Sequence, residues 1–282
     1  MDCQLNTQEM ETPYDYTIAL VDADVLRYEI GAIQTNHPFL DGAKIPANPE
    51  FIYQRIEDRI NRIKEATSCY NVFLVFSGTG NFRFEQATLE PYKGKREGLE
   101  KPHHWITVND YLKENYPYII IDGREADDYL AERQRLQKNT IICTRDKDLL
   151  VTPGWHYRWA CGENQPEVPP HYVDTISAWR NFFYQMLIGD STDNIIGCGE
   201  RRPVIRGGKE VMWRHGVGPK AARKLLDTCY DIKGMYHIVR MEYVKLFPEK
   251  WECNMLENAR LLFVGQHQED LFDWSWLDKE WL

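Results

Sequence analysis

Thr140-Ile-Ile-Cys-Thr-Arg-Asp-Lys-Asp-Leu-Leu150 is an apolar, partly β-branched run that passes directly into two carboxylates. Residues 140–143 have the composition of a buried strand, and Asp146 and Asp148 follow them closely. Acids in that position lie at the carboxyl end of a strand, where open parallel sheets carry their ligand sites. The stretch therefore predicts one edge of an acidic site.

Three further segments combine an apolar run with acids. The acids are Asp22 and Asp24 after residues 17–21, Glu125, Asp127 and Asp128 after residues 118–121, and Asp190 and Asp193 after residues 182–188. Taken singly, each cluster is explained by helix capping or by favourable acids in a first helical turn. Their shared position at the ends of apolar runs predicts instead that they converge on one site.

Converging carboxylates repel one another unless cations neutralise them. Hard oxygen ligands of this kind suit Mg²⁺ or Mn²⁺ rather than zinc. The chemistry expected of such a site is metal-assisted phosphoryl hydrolysis.

The order of the predicted elements indicates an α/β fold. Strands at 17–21, 71–76, 118–121 and 140–143 alternate with helices at 49–66 and 125–136, a pattern typical of a parallel sheet covered on both faces. After Pro169 and Pro170 the pattern predicts only helices, at 173–188, 219–228, 231–246 and 254–263. We expect a loose arm at 1–16, a parallel-sheet α/β domain at 17–172 with a region free of strand signal at about 81–116, and a helical region at 173–282.

The composition sets outer bounds. A chain of 282 residues with 43% hydrophobic content can bury a full core, as one large domain or two unequal ones. No apolar run approaches the length of a membrane span, and the N-terminus lacks the basic and then apolar order of a signal peptide, so we expect a cytoplasmic protein. Seven scattered cysteines without a C-x-x-C pair suggest neither a zinc finger nor a disulfide framework.

A net charge of −9 argues at first against nucleic acid. Much of that charge, however, belongs to the predicted site. Basic residues gather at 93–101 and 200–223, and the local field decides binding more than the sum does.

The second of these basic stretches includes Gly216-Val-Gly-Pro-Lys-Ala-Ala-Arg-Lys224. Its glycines permit a tight turn, Pro219 suits the first helical position, and the amides there would bind an anion with the help of Lys220 and Arg223. Such a hairpin grips a phosphate backbone without reading bases. An amphipathic helix with solvated lysines is the alternative interpretation.

Together these motifs resemble the 5′-3′ exonuclease and flap endonuclease family of the phage type. The resemblance covers residues 17–226 and is carried in order by a buried strand ending at Asp22, the F-R of Phe82-Arg83, P-Y-K-G-K-R from Pro91, and E-A-D-D, T-R-D-K-D-L-L, G-D-S-T-D-N and G-V-G-P-K-A-A. It implies a PIN-like nuclease domain with a helix-three-turn-helix region. It also implies a monomer that acts on DNA with 5′ ends, flaps or RNA primers by two-metal hydrolysis, in the host cytoplasm if a phage encodes it.

The resemblance assigns roles to residues. One metal would be held by Asp22, Glu125, Asp127 and Asp146, and the other by Asp148, Asp190 and Asp193, with Asp128 close by. Lys93 and Arg96 would line an arch at about 81–116 and contact the scissile phosphate. DNA would be bound by Arg83, Gly216, Gly218, Lys220, Arg223 and Lys224, with K⁺ at the Gly216–Lys220 hairpin.

The chain departs from the family pattern at two places. The family usually places another metal-binding Asp after the second strand, where this chain has Ser77-Gly78; Asp24 would substitute if the first strand continued that far, since residues two apart on a strand face the same way. The family also runs almost directly from G-D-x-x-D-N into the hairpin, whereas a basic insertion at 198–215 intervenes here. We expect an additional DNA contact there, or a charged, solvated loop.

Two other functions remain open at this stage. A PIN-type ribonuclease acting on single-stranded RNA would share the acids but would not need the Gly216 hairpin. A DNA-junction binding protein with impaired catalysis would account for the carboxylate missing after Phe76.

Overall fold

A computed structural model of the chain describes residues 16–96 and 98–279. Its centre is a six-stranded sheet, with strands β1 (Ile18–Asp22), β4 (Asn71–Ser77), β5 (Tyr118–Ile121), β6 (Thr140–Cys143), β7 (Gly154–Arg158) and β8 (Val168–Val173). The spatial order is β5-β4-β1-β6-β7-β8; the first five strands are parallel and β8 is antiparallel to β7. The predicted α/β class with a parallel sheet is confirmed.

Both faces of the sheet are covered, as the apolar strands predict. Within β1, Leu20 points into one core cluster, while Ala19 and Val21 point into the other. The second cluster lies under α1 (Ala23–Gly31), α2 (Pro49–Thr67) and α4 (Trp105–Asn115). Four isoleucines at helical spacing in α2, namely Ile52, Ile56, Ile60 and Ile63, are fully buried there.

The opposite face carries α5 (Ala126–Leu136), α6 (Thr175–Ile188), α7 (Pro219–Leu226), α8 (Ile232–Leu246) and α9 (Trp251–Leu262). Their buried residues form one cluster with Leu20, Val75 and Ile142 of the sheet, so the helical region and the sheet share an apolar core. In the described part of the chain, no helix is both long and apolar enough to cross a bilayer.

The expectation of helices only after Pro170 is wrong. The insertion forms an antiparallel hairpin of β9 (Gly199–Arg206) and β10 (Lys209–Gly216), closed by Gly207 and Gly208, both with positive φ. A smaller hairpin, β2 (Gln34–Asn36) with β3 (Lys44–Pro46), also escaped prediction. The expected arm lies outside the described residues except for Tyr16, which is buried.

The region expected to form an arch is only partly separate from the body. Its far end is α4, which packs on α1 and α2. Its near end holds the short helix α3 (Arg83–Gln86), and the loop from 87 to 96 runs between them past the acidic edge of the sheet.

Candidate active site

Asp22 lies at the centre of the acidic edge. It ends β1 and caps α1, where its Oδ1 accepts hydrogen bonds from the amides of Asp24 (3.0 Å) and Val25 (3.2 Å). Its Oδ2 accepts the hydroxyl of Thr144 at 2.8 Å, directly after β6. The residue is only 3% exposed, so these bonds replace much of its hydration.

The other predicted acids reach this edge from the starts of helices and from one loop. Glu125 caps α5, and Asp127 lies in its first turn. Asp146 caps a short 3-10 helix, Lys147–Val151, by accepting the amide of Asp148 at 2.9 Å. After α6, Asp190 Oδ1 holds the amides of Thr192 and Asp193 at 2.6 and 3.0 Å.

The carboxylates are close enough to perturb one another. Burial, followed by the charges of Asp24 and Asp146, raises the pKa of Asp22 to about 7. Burial and then Asp22 and Asp146 raise the pKa of Asp127 well above its ordinary value. Burial and then Asp146 raise the pKa of Asp148 to about 7. The sequence clusters thus converge electrostatically as well as topologically.

Two lysines partly neutralise this edge. Lys93 donates to Glu125 Oε1. Lys147 donates at 2.7 Å to both Asp148 Oδ1 and Asp190 Oδ2. Burial alone would raise the pKa of Asp190, but the bonds from Lys147 and two backbone amides hold it below the ordinary value.

The loop that carries Lys93 is fixed to the acids. The buried Tyr92 hydroxyl lies 2.9 Å from Glu125 Oε2 and 3.1 Å from Asp193 Oδ2. The Lys93 amide donates to the Asp193 carbonyl at 2.8 Å, and Arg96 donates to Asp193 Oδ1 at 2.7 Å. Lys93 and Arg96 therefore lie beside the acids, as expected from their motif.

Basic side chains now occupy several of the acids that would hold a metal ion. Within residues 16–96 and 98–279, no three His, Cys, Asp or Glu side chains are grouped so that they could hold an ion as they stand, and several acids are paired with Lys93, Lys147 or Arg96 instead. The donor set still fits divalent ions in chemistry, because it consists of buried and half-buried carboxylates whose mutual repulsion a cation would relieve. Metal binding would require these basic side chains to release the acids.

Asp24 does not lie on an extended β1, because α1 begins at Ala23. It pairs with Arg27 and accepts the amide of Ser77, the last residue of β4, at 3.2 Å. Its charge nevertheless contributes to the raised pKa of Asp22. Asp24 thus lies near the missing ligand's place, although not by the strand geometry that was expected.

Two expectations are corrected by one buried ion pair. Arg83 was expected to bind DNA and Asp128 to lie with the metal ligands, yet both are essentially inaccessible, at 1% and 0% exposure. Arg83 donates to both Asp128 oxygens, at 2.7 and 2.8 Å, and to the carbonyls of Leu261 and Phe263. Asp128 also accepts the Gly265 amide at 2.9 Å. This pair fastens α3 and α5 to the end of α9.

A cleft of about 550 Å³ opens beside the acids. Its lining includes Arg96, Arg145, Asp146, Lys147, Asp148 and Asp193. Basic and acidic side chains therefore line the same opening, as binding of a phosphate together with metal ions would require.

Gly216 ends β10, and α7 begins at Pro219, where the helix start was predicted. Gly216 has a φ of 153°, and a Cβ there would lie 2.2 Å from the Cys198 carbonyl oxygen, so only glycine fits. Gly218 caps α7 without a side-chain hydrogen bond, and Pro219 occupies the first turn. An open groove of about 470 Å³ is lined by Pro219, Lys220, Arg223, Lys224 and Asp227.

Three residues at the site were not predicted to act there. Lys147 stands between the two acids of its own motif, which is the only signal that the sequence offered. Tyr92 belongs to the P-Y-K-G-K-R motif but has no role assigned by the resemblance; it is buried, with its hydroxyl on the acids. Thr144 reaches Asp22 only because β1 and β6 are neighbours, which a local pattern does not show.

The fold is that of solved 5′ nucleases. A T5 5′-exonuclease with bound zinc has a TM-score of 0.56 and 16% identity, covering 87% of this chain and 89% of that one. The bacteriophage T5 D15 flap endonuclease, in a complex with DNA and metal ions, has 0.56 and 15%, covering 87% and 88%. The catalytic core of Rad2 with DNA substrate has 0.51 and 15%, covering 90% and 80%. No family model and no curated protein matches the sequence.

Asp22→Asn should change how stability depends on pH. The raised pKa of Asp22 means that its contribution is present below its ordinary value of 3.8 and is lost as the pH rises through about 7. Asparagine keeps the helix cap without the charge. In EDTA, urea unfolding should find the variant more stable than the parent at pH 8, by an amount on the order of a few kcal/mol, with the gap closing towards pH 4. A parent of equal or greater stability at pH 8 would contradict the raised pKa.

Arg83→Ala should cost about 3–5 kcal/mol of unfolding free energy, because it leaves the Asp128 carboxylate buried and unpaired. The matched control is Arg55→Ala, which removes a half-exposed pair with Asp58 and should cost about 0–1 kcal/mol. Chemical denaturation of both variants measures the difference. Equal losses would show that the buried pair does not hold α3, α5 and α9 together.

Proposed function

We propose that the chain is a divalent-metal-dependent 5′ nuclease that hydrolyses phosphodiesters at the 5′ ends of DNA duplexes, flaps or RNA primers. The observation that carries the proposal is the set of buried and half-buried carboxylates that raise one another's pKa at the carboxyl edge of a parallel sheet, with Lys93 and Arg96 beside them. The likeness of the fold to nucleases solved with DNA and metal ions supports it.

The residues that would hold two Mg²⁺ or Mn²⁺ ions are Asp22, Glu125, Asp127 and Asp146 for one and Asp148, Asp190 and Asp193 for the other. When bound, such ions activate the attacking water and offset charge on the leaving oxygen. Asp128 is excluded from this set, because both of its carboxylate oxygens accept hydrogen bonds from Arg83. Asp24 adds negative charge next to Asp22.

The basic side chains have a part of their own. Lys93 and Arg96 now pair with Glu125 and Asp193, and an incoming phosphate would compete with those carboxylates for them. Once on the phosphate, their charges would stabilise the developing negative charge of the transition state. Lys147, which is 62% exposed, would release Asp148 and Asp190 in the same way.

We assign binding of duplex DNA to the start of α7. Lys220, Arg223 and Lys224 are exposed along one groove, and the uncapped amides after Gly218 add partial positive charge. We include in the proposal a K⁺ ion at Gly216–Lys220, action as a monomer, and a cytoplasmic location, that of the host cell if a phage encodes the protein. A PIN-type ribonuclease would have no use for this groove.

A catalytically impaired DNA-junction binding protein is the second candidate. Ser77 at the end of β4 and the acids already paired with basic side chains favour it. Hairpin DNA duplexes labelled at the 5′ or the 3′ end, and a labelled single-stranded RNA, each incubated with Mg²⁺ or with EDTA, separate the candidates. Mg²⁺-dependent loss of the 5′ label supports the nuclease, binding without cleavage the second candidate, and cleavage confined to single-stranded RNA the ribonuclease.

Asp146→Asn should abolish cleavage and leave DNA binding intact or stronger, because it removes a ligand and lessens repulsion of phosphate. Asn can still cap the 3-10 helix that follows. Asp41→Asn, at an exposed turn, is the control and should cleave like the parent. Substantial turnover by Asp146→Asn at saturating Mg²⁺ would rule out the shared metal site.

Lys93→Ala should lower kcat far more than it raises KM, since a charge aimed at the scissile phosphate acts mainly in the transition state. Lys95→Ala is the control, because Lys95 is exposed and donates to the Ser191 carbonyl at 3.1 Å rather than to an acid of the site. Steady-state kinetics on a labelled 5′ flap decide the matter. A raised KM with unchanged kcat would make Lys93 an ordinary binding residue.

Lys220→Ala with Arg223→Ala should weaken duplex binding and flatten its salt dependence. Each lost phosphate contact lowers the counterion-release slope by about 0.9. The control pair is Lys64→Ala with Lys138→Ala, at the opposite edge of the sheet. A salt-dependence slope equal to that of the control pair would show that α7 is not part of the DNA interface.

A further inference from the structure

The β9–β10 hairpin is rigid at its base. Arg214 donates to the carbonyls of Leu187, Ile196 and Val217, at 2.7 to 2.9 Å. Arg201 donates to Glu90 at 2.7 Å and to Asn194 at 2.9 Å. The base is thereby tied both to the loop that carries Lys93 and to the turn that carries Asp193.

Beyond its base the hairpin is open to solvent on both faces. All residues from 202 to 213 are exposed except Val204, which is partly so, and they include large apolar side chains, with Ile205 at 71% and Met212 at 55% exposure. An isolated two-stranded ribbon gains little stability alone.

The two faces of the β9–β10 hairpin carry different residues. Register puts Arg201 opposite Arg214, and these anchors share one face. The other face pairs Arg202 with Trp213 and Arg206 with Lys209. We call this second face the basic face.

The basic face presents its charges in a fixed arrangement. The Arg206 guanidinium lies 3.5 Å from the centroid of the Trp213 ring, a cation-π contact that orients the group while leaving its N–H edge free. Lys209 marks the outer end of the face and Arg202 the inner end, four residues along the ribbon, which is about 13 Å at the rise of a strand. The major groove of duplex DNA is about 12 Å wide and admits a two-stranded ribbon.

The hairpin also lies between the two parts of the proposed DNA path. It begins shortly after Asp193 of the acidic edge and ends at Gly216, two residues before the cap of α7. Five basic and two acidic residues fall within 199–216 of a chain whose net charge is −9. The charge therefore favours a polyanion such as nucleic acid over a neutral or basic surface.

We propose that the basic face of the β9–β10 hairpin is a third contact to duplex DNA, in which Arg206 and Lys209 bind backbone phosphates between α7 and the acidic edge. The inference rests on the proposed function. Trp213 acts as a positioning residue that holds Arg206 in place.

The test is duplex affinity as a function of salt, in EDTA so that binding is measured without cleavage. Fluorescence anisotropy compares a DNA duplex with a single strand of the same sequence. Arg206→Ala with Lys209→Ala should lower the duplex slope by about 1 to 2 and weaken single-strand binding much less. Lys64→Ala with Lys138→Ala should leave both unchanged. The targeted side chains are exposed, and an unchanged Tm checks that the variant is folded.

The outcomes separate the inference from its premise. If the parent binds no DNA, the proposed function itself fails. If the Lys220 and Arg223 pair flattens the slope while the hairpin pair matches the control, α7 binds DNA and the hairpin does not. Equal losses on duplex and single strand would overturn the assignment to duplex.

Trp213 gives a second readout that a purely structural role would not produce. Trp213→Ala should weaken duplex binding, and Trp213→Phe should retain most of it because an aromatic ring still supports Arg206. In a background of Arg206→Ala, the Trp213→Ala change should have little further effect. An undiminished effect in that background would show that Trp213 does not act through Arg206.

Discussion

The crowding of carboxylates at one sheet edge is the constraint on which the rest of the molecule depends. Like charges in a poorly hydrated place raise one another's pKa and destabilise the fold unless they are compensated. The chain compensates them with Thr144 and the first amides of α1 on Asp22, Lys93 on Glu125, and Lys147 across Asp148 and Asp190. These are also the contacts that a metal ion or a phosphate would exchange, so the features that stabilise the fold prepare the site.

A buried ion pair supports this edge from behind. Arg83 and Asp128 join α3 and α5 to the end of α9, far apart in sequence. Asp128 also accepts the Glu125 amide and so helps to fix the start of α5, where Glu125 and Asp127 lie. The apolar core shared by the sheet and α6 to α9 then holds the proposed DNA-binding helix at a fixed position relative to the acids.

The sequence predicted the central strands and most helices to within a few residues, because short β-branched runs and isoleucines at helical spacing are local signals. It missed β8, whose Pro169 and Pro170 argue against a strand but are tolerated at a sheet edge. It also missed β9 and β10, whose arginines indicated a loop, although Gly207-Gly208 is the turn signal of a hairpin. The convergence of the acids followed from topology. The ion pair of Asp128 with Arg83 could not be predicted in this way. Arg83 and the carbonyls at the end of α9 are distant from Asp128 in sequence.

We propose that the acidic edge binds divalent cations and that its carboxylates then release their basic partners. The most direct measurement counts Mn²⁺ ions bound to the full chain, by electron paramagnetic resonance of free Mn²⁺ during titration, beside Asp22→Asn and Asp148→Asn. We expect the parent to bind two ions saturably and each variant to lose affinity at one of the two sites. Absence of saturable binding, or binding that neither substitution alters, would contradict it.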